Sequence, residues 1–268
     1  MYSFDYVRPS TLEEAKAILA SHPEARPVSG GQTLLPTLKQ RLANPELLVD
    51  LQKIPDLRGV EITSTHVCIG AMTRHAEVAA NADIARAIPA LAYLAGGIAD
   101  PQVRHMGTMG GSLANNDPAA DYPGAVMGLG AEIVTSRRTI AADDFFLGLF
   151  TTALEPGEFI CQIRYPRVER AGYHKFAQPA SGYVVTGCFV SRDFQGQVRV
   201  AVNGAGPCVF RQSDFENALV ATFDTNSIDR CQQGSTGLNT DLHASAAYRA
   251  QLVKVAARRA VTWALAAR

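Results

Sequence analysis

The chain has 268 residues, of which 47% are hydrophobic and 19% charged, so it can bury a substantial core and is long enough for one large domain or two or three small ones. Its 25 Lys and Arg balance 25 Asp and Glu, and no run of like charge marks a tail. This balance excludes a strongly basic protein built to bind nucleic acid or an anionic membrane surface.

The cysteines and the amino terminus carry no special signal. Five cysteines are spread over positions 68 to 231 without a Cys-x-x-Cys pair, which does not match a disulfide framework, a zinc site or an iron–sulfur ligand set. No signal-like segment opens the chain, and nowhere are there eighteen consecutive apolar residues. We therefore expect a cytoplasmic protein with no membrane span and no metal ligands.

The first predicted elements form a small strand–helix–strand unit. A helix is expected to begin at Ser10, which can act as the N-cap with Glu13 at the capping-box position. Apolar runs and helical spacing then predict a strand over 25–28, a helix over 33–42 and a strand over 47–51.

The rest of the chain alternates between strand and helix patterns. Strands are expected over 60–62, 67–70, 131–135, 159–165, 183–190 and 198–202, with a helical pattern over 76–96 and a hairpin turn at 193–196. The segment 242–268 should be helical, with Tyr248, Leu252, Val255 and Trp263 close to one face. These patterns predict an α+β fold with soft boundaries near 55 and 167.

Two glycine pairs stand about eighty positions apart, in Ser29-Gly30-Gly31-Gln32-Thr33 and Thr108-Met109-Gly110-Gly111-Ser112. Glycine lets backbone N–H groups approach a phosphate without a Cβ in the way, so each segment is a candidate pyrophosphate loop. For either loop alone, a plain strand-to-helix turn is the alternative. Neither matches the G-x-G-x-x-G fingerprint of doubly wound dinucleotide-binding folds.

Two polar residues outside these loops have open roles. Asp121 ends a polar stretch after the second loop, and it could accept a hydrogen bond from a ligand or cap the next helix. Tyr183 could stand against an aromatic ligand or pack into the core as a strand residue. Spacing does not decide between these roles.

Taken together, the two loops resemble those of the FAD-binding medium subunit of the molybdenum hydroxylases, the family that includes aerobic carbon monoxide dehydrogenase and the flavin domain of xanthine dehydrogenase. Segment 27–36 is similar to the family's A-G-G-Q-S-L-L-P loop, and segment 108–115 to its T-I-G-G-[NS] loop. Segments 101–104 and 117–121 extend the match, and 173–183 and 241–249 resemble parts of the family's carboxy-terminal domain.

The resemblance implies a fold in three parts. An N-terminal FAD-binding subdomain (1–55) and a second FAD-binding subdomain (56–166) would form a two-part region of the vanillyl-alcohol oxidase and p-cresol methylhydroxylase type. A C-terminal α+β domain (167–268) would contain an antiparallel sheet and helices. FAD is expected to lie extended between the parts, with its pyrophosphate at the glycine loops.

The resemblance also implies which residues contact FAD. The two loops are expected at the phosphates and the ribityl chain, Asp121 as a polar flavin contact, and Lys175 and Tyr183 near the ring. The expected FAD-binding residues are Val28, Ser29, Gly30, Gly31, Gln32, Thr33, Leu34, Thr108, Met109, Gly110, Gly111, Ser112, Asp121, Lys175 and Tyr183. No catalytic residue is expected on this chain. Valine at Gly110 or Gly111 is expected to remove FAD from a folded protein.

The implied function is electron transfer in a complex, expected to be a dimer of heterotrimers. A large molybdenum-cofactor (molybdopterin) subunit would oxidise the substrate, a small subunit would carry the electrons through [2Fe–2S] clusters, and FAD on this chain would pass them to NAD, a quinone or oxygen. Two alternatives are a self-contained FAD oxidase of the vanillyl-alcohol oxidase superfamily and a flavin-free scaffold module. The sequence of this chain does not identify the substrate, because the atoms that select it would lie on another polypeptide.

Overall fold

The structure, a computed structural model, describes residues 1–267 and confirms the expected α+β class. Within that range there are β-sheets of three, five, four and two strands. Arg268, the last residue of the expected terminal helix, lies outside the described residues. No helix between residues 1 and 267 is long and apolar enough to span a membrane.

The first sheet is parallel and carries the first glycine loop at the end of a strand. Its elements are β1 (Asp5–Val7), α1 (Leu12–Ser21), β2 (Arg26–Val28), α2 (Leu34–Lys39) and β3 (Leu47–Asp50), with strand order β1-β3-β2. The N-cap of α1 is Thr11, whose side chain accepts from the Glu14 N–H at 3.2 Å. The cap predicted at Ser10 is therefore wrong by one residue.

The second sheet is antiparallel, with strand order β4-β5-β10-β6-β7. Its region contains β4 (Val60–Ile62), β5 (His66–Gly70), α3 (His75–Ala80), α4 (Ala82–Ala87), α5 (Pro89–Gly96), α6 (Pro101–Met106), α7 (Met109–Asn115), α8 (Tyr122–Leu129), β6 (Glu132–Thr135), β7 (Thr139–Ala141), α9 (Ala142–Phe145), β8 (Phe146–Gly148), β9 (Thr151–Thr152) and β10 (Ile160–Pro166). Strands β8 and β9 form a separate hairpin.

The helical pattern predicted over 76–96 is three helices in the structure. The Asn81 side chain accepts from the N–H groups of Asp83 and Ile84 and so begins α4, while Pro89 begins α5. Both residues interrupt the i to i−4 hydrogen bonds of a continuous helix. Asparagine caps the helix that follows it, and proline has no N–H to donate. A helix was expected after Asp121 but without bounds, because the buried Gly, Ala and Pro residues of α8 show no amphipathic period.

The third sheet is antiparallel and packs against the terminal helix. Its region contains β11 (Arg170–Ala177), β12 (Val184–Arg192), β13 (Val198–Asn203), β14 (Phe210–Arg211), α10 (Ser213–Ala221), α11 (Thr225–Asp229) and α12 (Ala246–Ala266), and the strand order is β11-β12-β13-β14.

The residues predicted close to one face of α12 differ in burial. Leu252 is buried and Trp263 packs against the core, whereas Tyr248 is 54% exposed and Val255 is also exposed. The other buried positions are mainly alanine and valine. These small side chains let the helix backbone approach the sheet so closely that a Cβ on Gly172 of β11 would stand only 2.9 Å from the Ala264 backbone nitrogen. Close packing of the two backbones, rather than the large side chains, selects this face.

Candidate functional site

The two glycine loops lie against each other in the folded chain. Gly30 is so close to the segment that precedes the second loop that a Cβ on it would be 2.8 Å from the Gly107 Cα. On the other side, a Cβ on Gly111 would be 3.4 Å from the Ser29 Oγ. Because no real Cβ approaches backbone atoms at the first of these distances, the two loops can meet only with glycine at position 30.

The first loop presents unpaired backbone donors. Among the described residues, the N–H groups of Gly30, Gly31, Gln32 and Thr33 donate no hydrogen bond within the protein. Gly31 has a left-handed φ of 70°, and Gly30 is buried. Buried backbone donors normally have a partner, and consecutive free N–H groups around a left-handed residue are typical of anion-binding loops. This loop therefore fits a phosphate group.

The second loop, in contrast, has used its donors within the protein. The N–H groups of Met109, Gly110 and Gly111 donate to Thr73 O at 3.1 Å, to Ala71 O at 2.8 Å and to Thr108 Oγ1 at 3.2 Å, respectively. Thr108 is thus the N-cap of α7, and Ser112 donates its N–H to the Thr108 carbonyl oxygen at 3.1 Å. The bonded N–H groups make this loop rigid. The half-buried Ser112 hydroxyl on it can still donate to a ligand.

Gly110 is required by protein packing rather than by a ligand. A Cβ on Gly110 would stand 2.6 Å from the Ala71 Cβ. Valine at this position would collide with Ala71, so the expected loss of FAD from this variant would come with a loss of stability. Gly111 is half-buried and faces the Thr108 and Ser29 side chains of the two loops.

Val28 and Leu34 support the first loop from below. Val28 is 8% exposed and belongs to a small buried cluster with Leu38 and Leu48, against which Leu34 packs. The loop thus begins and ends on residues held in the core of the first subdomain, while Gln32 and Thr33 between them are exposed.

A buried ion pair forms a second polar group, apart from the glycine loops. The Asp121 carboxylate is 3% exposed, pairs with Lys175 Nζ at 2.9 Å and accepts from the Tyr173 hydroxyl at 2.8 Å. Burial raises the pKa of Asp121 above its ordinary value, although Lys175 and Tyr173 act in the opposite direction. Asp121 stands at the N-cap position of α8, but its side chain makes no capping hydrogen bond because it is engaged with Lys175 and Tyr173.

Lys175 connects this ion pair to Tyr183. Its Nζ also donates to the Gly97 carbonyl oxygen at 2.8 Å and to the Gly182 carbonyl oxygen at 2.9 Å. Tyr183 follows Gly182 directly and is 52% exposed, which excludes the core position considered for it. The structure therefore brings Asp121, Lys175 and the Tyr183 backbone into one cluster.

Helix α6 runs between the two groups; its first residues, 101–104, belong to the family resemblance, but the spacing of its residues did not predict this position. At its start, Ala99 has a left-handed φ of 41°, and a Cβ on Gly182 would be 3.2 Å from the Ala99 Cα. Arg104 holds this strained residue by donating to its carbonyl oxygen at 2.8 Å. At the other end of α6, the Met106 carbonyl meets Gly30. Six helical residues span about 9 Å, so the site is elongated.

His75 is buried beneath the second loop. It is 4% exposed, its ring lies 5.2 Å from the Tyr122 ring, and its Nδ1 has no hydrogen-bond partner among residues 1–267. Burial lowers its pKa to about 4, with a further contribution from the positive charge of Arg104. His75 is therefore neutral at physiological pH and has a packing role at this site.

Comparison with known proteins agrees with this geometry. Residues 2–168 match the family model described as the FAD binding domain in molybdopterin dehydrogenase. The chain is 35% identical over 276 residues to the carbon monoxide dehydrogenase medium chain of Afipia carboxidovorans, covering 97% of this chain and 96% of that one. It is 33% identical over 269 residues to the nicotine 6-hydroxylase medium subunit of Paenarthrobacter nicotinovorans, covering 96% and 95%.

Solved structures show the same similarity over the whole length. Reconstituted CO dehydrogenase from Oligotropha carboxidovorans contains a chain that superposes with a TM-score of 0.93 at 34% identity, covering 100% of this chain and 99% of that one. Quinoline 2-oxidoreductase from Pseudomonas putida 86 gives a TM-score of 0.89 at 28% identity, with coverage of 99% and 98%.

Gly110 and Gly111 of the second loop should differ in how much stability is lost when each is replaced by alanine. We expect Gly110→Ala to lower the free energy of unfolding by about 1–3 kcal/mol, since the new Cβ overlaps Ala71, and Gly111→Ala to change it by less than about 1 kcal/mol. Urea denaturation of both variants checks this. Equal losses of stability in the two would contradict the packing role of Gly110.

The buried His75 predicts a specific dependence of stability on pH. Between pH 6.5 and about 4, His75 takes up a proton in the unfolded chain but stays neutral in the folded chain, because burial lowers its pKa. Proton uptake therefore stabilises the unfolded state, and the free energy of unfolding falls as the pH falls. The full effect is on the order of 3 kcal/mol. Urea denaturation from pH 7.5 to 4 should show a shallower decline for His75→Gln than for the wild type. Parallel profiles would show that the pKa of His75 is the same in the folded and the unfolded chain.

Proposed function

We propose a function for this chain on the basis of the family to which it belongs, the FAD-binding domains of molybdopterin dehydrogenases. The chain is the FAD-binding, electron-transferring subunit of a molybdenum hydroxylase, and so it is part of an oxidoreductase. When bound, FAD supplies the redox chemistry, because it can accept single electrons and release them as a pair. The residues of the chain bind this cofactor, orient it and adjust its surroundings.

The FAD pyrophosphate binds at the first glycine loop. The observation that carries this placement is the run of N–H groups from Gly30 to Thr33, which donate to no acceptor within residues 1–267. The second loop closes the site from the other side, where Ser112 can donate its hydroxyl to a phosphate or ribityl oxygen. The remaining residues of both loops, including Val28 and Leu34, position these donors.

The isoalloxazine ring lies near the cluster of Asp121, Lys175 and Tyr183. The ammonium group of Lys175 is fixed by backbone carbonyls and by the Asp121 carboxylate, which neutralises its charge, so the pair forms a rigid polar surface at a defined place. The aromatic face of Tyr183 can cover the ring. The elongated shape of the site suits an extended cofactor.

The chain works within a larger complex. Its relatives are named as medium chains or medium subunits, and they match it over more than nine-tenths of their length. A large molybdenum-cofactor subunit oxidises the substrate, a small [2Fe–2S] subunit carries the electrons, and FAD on this chain passes them to an external acceptor. The assembly is a cytoplasmic dimer of heterotrimers. A self-contained oxidase and a flavin-free scaffold are not favoured, since neither explains these relatives.

The chain divides into subdomains 1–55 and 56–166 and a C-terminal domain over 167–268. The sheets support these boundaries, because the strands of the parallel sheet fall within 5–50, those of the five-stranded sheet within 60–166, and those of the last sheet within 170–211. The glycine loops belong to the first and second subdomains, so FAD binding joins the two.

A negative charge introduced at the first loop should weaken FAD binding while the chain stays folded. Gln32→Glu keeps the shape of an exposed side chain but places a carboxylate next to the pyrophosphate, so we expect the affinity for FAD to fall at least about tenfold. Titration of the FAD-free chain with FAD, followed by flavin fluorescence, measures this. The matched control is Gln195→Glu in the exposed turn after β12. Unchanged FAD affinity in Gln32→Glu would refute the placement.

The assembly is tested by purifying the tagged chain from cells that also express its partner subunits. Native mass spectrometry should show two copies each of three different subunits, and metal analysis of the complex should show molybdenum and iron. A mass corresponding to one heterotrimer would contradict the dimer. A chain that oxidises an alcohol without partners would instead support the self-contained oxidase.

A further inference from the structure

The three parallel strands of the first sheet end at the edge that carries the first glycine loop. Arg8 directly follows β1, Ser29 directly follows β2, and Asp50 is the last residue of β3. The carboxyl ends of neighbouring parallel strands lie at one edge of a sheet, where such sheets commonly bind ligands. Side chains from this edge form a hydrogen-bonded network next to the loop.

Gln52, two residues after β3, is the centre of this network. The Asp50 carboxylate accepts from its backbone N–H at 2.8 Å, and Arg58 Nη2 donates to its carbonyl oxygen at 3.2 Å. Arg8 Nη2 donates to its side-chain Oε1 at 3.4 Å. Asp50 is itself buried, accepts from the Tyr6 hydroxyl and pairs with Arg8 Nε at 3.4 Å. The backbone and the side-chain oxygen of Gln52 therefore have fixed positions.

The side-chain nitrogen of Gln52 contacts the first glycine loop. Its Nε2 donates to the Ser29 carbonyl oxygen at 3.3 Å. Because arginine only donates hydrogen bonds, Arg8 must face the oxygen of the amide, which leaves the NH₂ group to face Ser29. Arg8 also polarises this amide, and hydrogen bonds in such a chain strengthen one another.

The carbonyl that accepts from Gln52 belongs to the peptide that joins Ser29 to Gly30. In a planar trans peptide the C=O and N–H bonds point in opposite directions, so this hydrogen bond also directs the Gly30 N–H away from Gln52. The Gly30 N–H is the first of the four in the loop that donate to no acceptor within residues 1–267. The next peptide has the same arrangement, since Gln32 Nε2 donates to the Gly30 carbonyl oxygen at 3.2 Å.

The glycines of the loop make such a restraint necessary. Glycine adopts many backbone conformations at little cost, so the peptides around Gly30 and Gly31 can rotate easily. A rotated Ser29–Gly30 peptide would present its carbonyl oxygen to the pyrophosphate in place of an N–H. Because an anion binds to N–H groups and is repelled by the partial negative charge of a carbonyl oxygen, this rotation would weaken the site.

We propose that Gln52 is a positioning residue for the FAD pyrophosphate. It acts through the Ser29–Gly30 peptide, keeping the Ser29 oxygen away from the cofactor and the N–H groups of the loop directed at it. No contact between Gln52 and FAD is required. This role rests on the proposed function, which places the pyrophosphate at the first loop.

The role is tested by titrating the FAD-free, full-length chain with FAD and with ADP, which carries a pyrophosphate but no flavin. Gln52→Met keeps a side chain of similar length and removes the amide. We expect the affinity for both ligands to fall about three- to tenfold, the effect of one lost hydrogen bond.

The matched control is Gln162→Met. Gln162 on β10 is half-buried like Gln52, and its Oε1 likewise accepts from an arginine, Arg164 Nε, at 3.0 Å, but it makes no bond to a glycine loop. Its replacement should leave the affinity for FAD and ADP unchanged. Urea denaturation of both variants should show similar stability, so that a difference in affinity reports on the loop.

An NMR measurement reports on the peptide itself. The sequence contains two Ser–Gly pairs, Ser29–Gly30 and Ser181–Gly182. Cell-free synthesis with carbonyl-¹³C serine and ¹⁵N glycine therefore gives two amide signals in an experiment that selects ¹³C–¹⁵N peptide bonds, and Ser181→Ala assigns them. In the ligand-free chain, Gln52→Met should move the Ser29–Gly30 signal and leave the Ser181–Gly182 signal in place.

Three results would overturn the role of Gln52. These are equal FAD affinity in Gln52→Met and the wild type, an equal loss of affinity in Gln162→Met, and a Ser29–Gly30 signal that does not move. A wild-type chain that binds neither FAD nor ADP would instead refute the proposed function. In that case the signals of the ligand-free chain would still show whether Gln52 orients the peptide.

Discussion

The contact between Gly30 and the backbone at Met106 and Gly107 determines how the rest of the site is arranged. It brings the end of a parallel strand against the end of a short helix from a different sheet region, with no side chain between them. The N–H groups of the first loop donate to no acceptor within residues 1–267, so these donors stay available to a ligand. The second loop is fixed in the same way by Ala71. The first loop thus keeps N–H donors that can bind an anion, while the second loop is rigid because its N–H groups are bonded within the protein.

The sequence predicted those parts of the fold whose signals are local. Capping residues and apolar periods located α1, most strands of the first two sheets and the α+β class, and the resemblance carried by the two loops identified the cofactor. Contacts between distant segments were not accessible in this way. Nothing in the sequence distinguishes Gly110, which packs on Ala71, from Gly111, which faces the other loop. Ala99 and Phe150 have left-handed backbones that tertiary packing imposes. Neither residue type favours this conformation, so the sequence could not predict it.

The ion pair of Asp121 and Lys175 shows why a charged site can be buried without a large loss of stability. Two buried charges are costly to remove from water, and their attraction offsets this only if every remaining donor and acceptor is satisfied. Here Tyr173 and two backbone carbonyls complete the set around the pair. The carbonyls come from Gly97 and Gly182, which flank the strained Ala99, so the same ammonium group also holds two loops from different parts of the chain together.

The attachment of the β8–β9 hairpin by Asn116 has a consequence for how such proteins diverge. Asn116 is fully buried at the end of α7, and its Nδ2 donates to the Gly148 carbonyl oxygen at 2.8 Å and to the Thr151 carbonyl oxygen at 2.7 Å. This single side-chain amide, which bonds only to backbone carbonyls, connects the hairpin to the helix that starts at the second glycine loop. Backbone carbonyls are present whatever the side chains are, so the exposed residues Leu147 and Leu149 can change without disturbing the anchor. Substitutions on this hairpin can therefore accumulate without loosening the contact that attaches it to the glycine-loop helix.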